Sequence, residues 1–508
     1  MKRKGIPKPY FEWVKDYWYS RGKHLDFERH AYLKTIYEDQ EGTGDGIIIY
    51  QKSAQVGLTE RMVTEALWFP DQNYYNSIYF FPTSGNLGDL VRERIDQPIN
   101  SSPYLQEVSG RAKNSLGKGS DTLGLKKMTM GFCYLRGSNS LPGIISIAGD
   151  CIFVDEVDRM MAENIPYFEK RLEHSSLKHQ RWASTPTLTD FGINKLFKDT
   201  DQTTYLLKCN HCNEIQELDF WQNVDIEGKR MLCSKCKKEI IPYELKGEWV
   251  AKYRDKDTRG YHISSLYSPM LDINKLIKAS KKTSEAEIQQ FYNQNLGITY
   301  ESSGARITLN EIENCKGDYK LGEKPQGESL FLGVDVGSRL HYVIRSKDKI
   351  IEMSDVSSFS ELSNIMQMYN IKGAVIDALP ETRKVQEFAL KHPKRVKMCY
   401  YTGLVEMKDV SKYWSVTNDK VNTERTVALD MIFSEFKTAS VKIPSNYDGR
   451  PEFVAHIKST TRIIDESKTG TVKAVYVKTS DDHLLHACNY AKLAVNIYDV
   501  TTPEVFIM

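Results

Sequence analysis

Long apolar runs are missing from this 508-residue chain. Nowhere do eighteen or more apolar residues follow one another, so no transmembrane helix and no membrane partner are expected. A one-sided charge is missing too: 69 lysines and arginines face 67 acids, a formal net charge of +2. Any nucleic-acid affinity must then come from local basic surface rather than from the charge of the whole. Internal repeats and low-complexity tracts are absent, which excludes solenoid and tail-like architectures. The opening stretch, MKRKGIPKPYFEWVKDYW, is basic but lacks the apolar core and small-residue cleavage site of a secretion signal, so a cytoplasmic protein is expected. Nine cysteines, an odd count, argue against a disulfide framework in such a compartment. What is present is 40% hydrophobic residues, enough for real cores, and 27% charged residues, the range of a globular domain. The length predicts about two to four domains.

The texture of the chain changes twice. Residues 1–200 alternate β-branched runs with amphipathic stretches. Strands are predicted at 44–51 (GDGIIIYQ), 77–84 (SIYFFPTS) and 151–154, with a helix over LTERMVTEALWF, a pattern that implies a mostly parallel α/β sheet. Residues 201–320 carry paired cysteines, short strand-like pieces and one long helical run, INKLIKASKKTSEAEIQQFYNQNLG. A Gly/Pro/charge-rich linker is expected at 322–329. Residues 321–508 open on LFLGVDVGSRLHYVIRS, two strands joined by a hairpin at Gly337 and Ser338. Strand, helix, strand, helix and strand follow, and a helix over HLLHACNYAKLAVNI closes the region.

Between the first strand and its helix lies Lys52-Ser53-Ala54-Gln55-Val56-Gly57-Leu58-Thr59, where a phosphate-binding loop belongs. Gly57 and Thr59 occupy the second glycine and the hydroxyl positions of such a loop. Leu58 stands where its lysine would be, and Lys52 where its first glycine would be. A phosphate cradle needs backbone N–H donors, one cation and one hydroxyl for Mg²⁺, and Lys52 and Thr59 can supply the last two. Taken alone, the segment reads equally well as an ordinary strand-to-helix turn. Downstream, Ile152-Phe153-Val154-Asp155-Glu156 is an apolar strand ending in two acids. Asp155 suits a water-mediated hold on Mg²⁺, and Glu156 suits deprotonation of an attacking water. Ser184-Thr185-Pro186-Thr187 follows as a candidate γ-phosphate sensor, and reads otherwise as a Ser/Thr turn. Arg136 is a candidate for stabilising transition-state charge; Tyr32 and Tyr37 are candidates for contacting an adenine.

Cys209-x-x-Cys212 and Cys233-x-x-Cys236 have the spacing of two knuckles that close a tetrahedral Cys₄ zinc site. Four thiolates leave no open position, so that zinc is expected to be structural. His211 could replace one cysteine, and Lys208, Lys235, Lys237 and Lys238 would permit a DNA contact. In the last region Asp335 and Asp377 end predicted strands, and Asp481 and Asp482 open the closing helix. Three acids so placed can converge on two Mg²⁺ or Mn²⁺ ions of a phosphodiester-cutting site. The order of strand with Asp, hairpin, helix, strand with Asp and late helix with acid matches an RNase H-like fold.

These motifs together resemble the large terminase subunit of tailed phages, the lambda-like gpA type. The likeness rests on KSAQVGLT with its displaced lysine, IFVDEVD, STPT, GYHISSLYSP and FYNQNLG, and runs from about residue 30 to the end of the chain. It implies an α/β architecture: an ASCE-type P-loop ATPase at 1–200, a zinc-knuckle region at 201–320 and an RNase H-like nuclease at 321–508. By position Lys52, Gly57, Thr59, Asp155 and Glu156 match the motor motif, with Ser53 and Thr185 as further nucleotide contacts. In DDHLLHACNYA, Asp482 matches that family's last acid better than Asp481 does. His483 and His486 stand where relatives have more acids, a departure that leaves the third ligand open and favours Mn²⁺ if a histidine ligates. The implied function is ATP-driven translocation of double-stranded DNA into procapsids and metal-dependent cutting of concatemers. The implied partners are a small terminase subunit, the portal protein and further copies in a ring, all in the host cytoplasm. Two other readings stay open from the residues. One is a cellular helicase-nuclease, although no later helicase motifs are visible; the other is a non-enzymatic zinc-containing DNA-binding scaffold with decayed sites.

Overall fold

A computed structural model describes residues 6–39, 46–83, 88–111, 122–301, 304–402, 413–466 and 472–499. Positions 44, 45 and 84 of the predicted strands lie outside the described residues. The chain divides into two compact units, Met1–Glu301 and Ser302–Met508. The cysteine-bearing region is, as far as Glu301, part of the first unit.

The first unit is built on strands β1 (Ile47–Lys52), β2 (Ser77–Phe81), β3 (Leu125–Lys127), β4 (Phe132–Gly137), β5 (Cys151–Asp155) and β6 (His179–Ser184). Next come the short β7 (Thr204–Lys208), β8 (Ile215–Glu217), β9 (Val224–Asp225), β10 (Arg230–Met231) and β11 (Gly247–Val250), and then β12 (Arg259–Ile263). The main sheet runs β12-β1-β6-β5-β2-β4-β3, parallel throughout except where β3 meets β4. β5 and β6 are buried along their whole length; β5 accordingly reads as an apolar run up to its terminal acid, whereas β6 (HQRWAS) buries polar side chains, Arg181 being paired with Glu65. β6 lies between β1 and β5, so the loop after β1 and the acids after β5 emerge on either side of the STPT segment that leaves β6. Parallel strands deliver all three to one edge, the carboxyl edge where open α/β sheets bind ligands. The far edge is closed by β12, which pairs with β1 from Ile48↔Arg259 to Lys52↔Ile263.

One expected element is broken. The long helical run over 273–297 is three pieces: helices Ile273–Ser280 and Glu285–Gln290, and one turn of π-helix, Phe291–Leu296. Ser284 starts the second piece by accepting the Glu287 N–H at 3.4 Å, a capping bond that competes with a continuous helix across Lys281-Lys282-Thr283. The cysteines sit in turns beside the smaller sheets, β11-β7-β8 and β10-β9: Cys209 and Cys212 between β7 and β8, Cys233 and Cys236 after β10.

The second unit has strands β13 (Phe331–Val336), β14 (Leu340–Arg345), β15 (Ile350–Val356), β16 (Gly373–Asp377), β17 (Val396–Thr402), β18 (Trp414–Thr417) and β19 (Lys420–Glu424). A separate hairpin is formed by β20 (Thr460–Glu466) and β21 (Val472–Lys478). The main sheet runs β15-β14-β13-β16-β17-β19-β18, with a parallel centre from β13 to β19 and antiparallel flanks. The helix His483–Tyr498 lies across β13, β14 and β16. Gly333 makes that approach possible: a Cβ there would come within 2.0 Å of the Ala491 nitrogen and 2.2 Å of the Ala487 oxygen. Backbone cannot yield as a flexible side chain does, so only glycine fits. The helix start, with Asp482 at its N-cap, is thereby held over the ends of β13 and β16, where Asp335 and Asp377 lie.

Candidate active sites and metal centre

The loop after β1 turns into the helix Leu58–Gln72 through Gly57, whose φ of 85° is open to glycine and strained for other residues. A Cβ at Gly57 would also meet the Leu33 side chain at 2.9 Å. The first turn of that helix aims backbone N–H groups with no intrahelical acceptor along its axis, the general basis of anion binding. Not every amide of the loop serves this way: the Ser53 N–H donates to the Ile263 carbonyl and the Ala54 N–H to the Gln294 carbonyl, each at 2.8 Å.

Lys52, almost wholly buried, reaches across to Glu156, Nζ to Oε1 3.4 Å. Beside this pair the Thr59 hydroxyl donates to Asp155 Oδ2 at 2.9 Å, and the Tyr79 hydroxyl donates to the same oxygen at 2.7 Å. The other Asp155 oxygen is buried without a hydrogen-bond partner. A carboxylate with one oxygen unsatisfied, next to a threonine hydroxyl, fits a Mg²⁺ hydration shell. Burial holds Asp155 above the usual carboxylate range, against the pull of Lys52. Burial would also raise Glu156, but Lys52 and Arg159 reverse this and hold its carboxyl below the usual range. The two neighbouring carboxyls are thus pushed in opposite directions. Glu156 takes a left-handed φ of 62°, a conformation that costs a non-glycine residue free energy and persists where the surroundings impose it. Here the Glu156 N–H donates to the Ala183 carbonyl and the Arg159 N–H to the Glu156 carbonyl.

Ser184 and Thr185 are buried at the end of β6, and the Ser184 hydroxyl accepts the Asp158 N–H at 3.2 Å. Asp158 fastens the rest of this segment. One of its oxygens accepts both the N–H and the hydroxyl of Thr187 at 2.8 Å, and the other accepts the Ile193 N–H at 2.7 Å. Burial lifts the Asp158 carboxyl to about 6 despite these donors. Sequence reasoning missed Asp158, although its place in DEVD, two residues past Glu156, was a usable signal. It also missed Arg159, whose guanidinium lies 3.7 Å from Glu156 and is largely exposed. Arg136 is placed elsewhere. It sits on β4, separated from β5 by β2, and its guanidinium donates to the Gly124 and Leu135 carbonyls. Tyr32 and Tyr37 line a cavity of about 190 Å³ against Gln55, Val56 and Gly57, and the Tyr32 hydroxyl donates to the Val56 carbonyl.

Cys209, Cys212, Cys233 and Cys236 converge so that all four sulfurs lie within 4.8 Å of one another. Cys209 and Cys236 are 3.9 Å apart, Cys212 and Cys233 3.7 Å. Tetrahedral sulfurs at a Zn–S distance of about 2.3 Å stand about 3.8 Å apart, so the cluster fits zinc. Each knuckle turns on a left-handed residue, Asn213 or Lys237. Burial opposes ionisation of Cys233, yet the backbone N–H groups of Cys236 and Lys235 bring its thiol down to about 6. His211 is turned to the Glu239 carbonyl at 3.1 Å, and Lys235 pairs with Glu214 at 2.8 Å.

In the second unit Asp335 is buried at the end of β13 and Asp377 partly buried at the end of β16. Burial, with the negative charge of Asp335 nearby, pushes Asp377 up to about 6 although the Leu379 N–H opposes the rise. Two carboxylates that destabilise each other's charge suit a divalent cation, which would relieve both. Asp482 is buried and Asp481 exposed. Asp482 is held below the usual range, its burial outweighed by His486, whose Nε2 is 3.2 Å from Oδ2. His486 Nδ1 in turn meets the Tyr401 hydroxyl at 2.7 Å. His483 Nδ1 lies 2.8 Å from Asp335 Oδ2. Both histidines of the closing helix therefore face the acids. Among the described residues only the four cysteines form a compact set of three or more ligands, so the three aspartates are not drawn onto one point in this arrangement. Behind His483 stack two further histidines: His341, parallel at 4.5 Å between ring centroids, and His456, edge-on at 5.7 Å. Burial first, and then the neighbouring rings, lower the pKa of both.

Two family models match this chain. Residues 30–251 match the phage terminase large subunit gpA ATPase domain, and residues 258–350 match the gpA endonuclease domain. Together they take in more than half of the chain. The second match includes Asp335 and ends before Asp377 and Asp482. No curated protein matches the sequence. Among solved structures, the large terminase of a thermophilic bacteriophage is similar over 97% of this chain and 99% of its own, at 13% identity and a TM-score of 0.30. The nuclease domain of the large terminase subunit of bacterial virus Sf6 is similar over 37% of this chain and 97% of its own, at 8% identity and a TM-score of 0.28. Likenesses this distant carry no weight here; the family models do.

Proposed function

The chain belongs to the gpA family of phage terminase large subunits, an ATPase followed by a metal-dependent endonuclease that package and cut phage DNA, and from that premise we propose which residues do the work. The observation that carries the motor assignment is the pairing of Lys52 with Glu156 beside the pairing of Thr59 with Asp155.

Lys52 neutralises the terminal phosphates of ATP from the start of the loop, and the helix behind Gly57 offers its N–H groups to them; Ser53 lines the same loop. Thr59 and Asp155 hold the Mg²⁺ shell. Magnesium held there would offset the charge that develops on the phosphates in the transition state. Glu156, paired with Lys52, takes the proton of the attacking water. Arg159, largely exposed beside Glu156, is placed to offset charge that develops as the γ-phosphoryl group passes to water and ADP departs. Thr185, at the end of β6, reads the γ-phosphate, and Asp158 keeps that segment in register with the acids.

In the second unit Asp335 and Asp377 hold the divalent metal, with His483 and Asp482 from the closing helix completing its surroundings. Two ions so held would activate water on one side of a phosphodiester and stabilise the leaving oxygen on the other. Asp481, exposed, stands at the rim. The four cysteines hold a structural Zn²⁺ that pins the knuckle region to the motor. The substrate is double-stranded DNA, contacted mainly through phosphates, so both activities fall with rising salt. The partners proposed are a small terminase subunit, the portal protein of a procapsid and further copies in a ring, in the host cytoplasm.

The test separates the two sites. Purified full chain carrying Glu156→Gln should lose DNA-stimulated ATP hydrolysis and keep plasmid cleavage, and Asp335→Asn should do the reverse. Wild-type hydrolysis by Glu156→Gln, or wild-type cutting by Asp335→Asn, would refute the corresponding assignment.

A further inference from the structure

The turn Phe291–Leu296 is wider than an α-helical turn and closes on Gly297 with a φ of 71°. Single π-turns are rare, and their cost is tolerated mostly where they place particular groups. This one touches two functional segments at once. Toward the phosphate loop, the Gln294 carbonyl accepts the Ala54 N–H at 2.8 Å, and the Gly297 carbonyl accepts the Gln51 side-chain amide at 3.0 Å. Gly297 lies so close that a Cβ would come within 2.6 Å of the Ser53 nitrogen. Toward the segment after β6, the Asn293 amide donates to the Thr187 carbonyl at 3.3 Å.

Thr187 is thus gripped from two sides. Asn293 holds its carbonyl, while Asp158 holds its N–H and hydroxyl. Asp158 follows Glu156 by two residues, so a closed circuit runs from the phosphate loop through the π-turn to Thr187, and on through Asp158 to the acid that faces Lys52. Asn293 is buried, and its side-chain oxygen has no hydrogen-bond partner. An unsatisfied buried amide oxygen costs about 1–3 kcal/mol, a reason to look for a role beyond packing.

We propose that Asn293 is a positioning residue of the motor, which makes the phosphate loop and the segment ending at Thr187 move as one piece when the γ-phosphate leaves. The inference rests on reading the first unit as an ATP-driven DNA motor. Residues along such a physical link alter coupling without touching either ligand, commonly by roughly twofold to thirtyfold.

The experiment compares wild-type full chain with Asn293→Ala and the near-isosteric Asn293→Asp, which replaces the donor facing the Thr187 carbonyl by an acceptor. Affinity for a fluorescent ATP analogue and steady-state hydrolysis with and without DNA are measured for each. Both variants should bind nucleotide within about twofold of wild type and keep KM for ATP, while DNA-stimulated kcat falls roughly threefold to thirtyfold. Should Asn293→Ala fail to fold, Asn293→Asp is read alone. Unchanged DNA stimulation would overturn the proposal. A parallel loss of nucleotide affinity and rate would also overturn it, because that is the signature of a brace for the loop. A wild-type chain with no DNA-stimulated hydrolysis would instead strike at the motor reading itself.

Discussion

Lys52 and Glu156 are 104 residues apart in the chain and 3.4 Å apart in space, and the charge of the lysine draws the glutamate's carboxyl down against the effect of its burial. Substituting either partner should act differently. Lys52→Ala removes both the proposed phosphate contact and the ion pair to Glu156, so KM for ATP should rise and kcat fall. Glu156→Gln keeps the shape and lowers kcat alone, by roughly a hundredfold to ten-thousandfold, with nucleotide binding intact. Steady-state ATPase assays with a parallel binding titration check the split.

For the second unit, His483 provides the sharper measurement. If it stands among the metal's neighbours, His483→Ala should weaken Mn²⁺ binding by roughly tenfold to a hundredfold, seen directly by the paramagnetic resonance of free Mn²⁺. Mg²⁺, which prefers oxygen ligands, should lose less. Equal losses for both ions would place His483 outside the metal's reach.

The cysteine cluster should bring one zinc with each chain, measured by elemental analysis. Cys233→Ser should lose that zinc and lower the thermal midpoint of the first unit, because zinc binding to such a site is folding free energy. Retention of zinc by this variant would mean that the cluster is not closed as described.

His179, buried beside Glu65 and Arg181, is predicted to make the first unit acid-sensitive. Burial lowers its pKa from 6.5 to about 4, with Arg181 adding to the effect. Unfolding frees the ring to take a proton at its ordinary pKa, so between about pH 6.5 and 4 the unfolded chain binds the extra proton. Stability therefore falls as pH falls through that window, by roughly 2 kcal/mol at about pH 5. Urea unfolding of wild type and His179→Gln at about pH 7.5 and 5, followed on the first unit's transition, isolates this contribution. The variant should lose less on acidification.

The residues with local signatures were legible in the sequence. A buried parallel strand announces itself as an apolar run, so β1 and β5 could be found, and with them the lysine and acids at their ends. The cysteine spacing is a covalent signature and needs no fold to be read. Pairings between distant segments were not legible. Nothing near residue 53 says that Ile263 and Gln294 take the first two loop amides, since hydrogen-bond register across more than 200 residues leaves no periodic trace. The helical period over 273–297 was real, but Ser284 as a cap and a π-turn before Gly297 interrupt it. Asp481 and Asp482 carry the same side chain, and in the sequence only the family resemblance set Asp482 ahead. Only the approach of the closing helix over Gly333 buries one and exposes the other.

The pairing of β12 with β1 also sets an order of events during synthesis. A ribosome that has released the first 250 residues has emitted the lysine, the threonine and both motor acids, yet the loop amides still await their carbonyl acceptors and β1 is an open sheet edge. Such an edge invites association between nascent chains. The two bonds that fix the Ser53 and Ala54 amides can form only after residues 259–297 have left the exit tunnel.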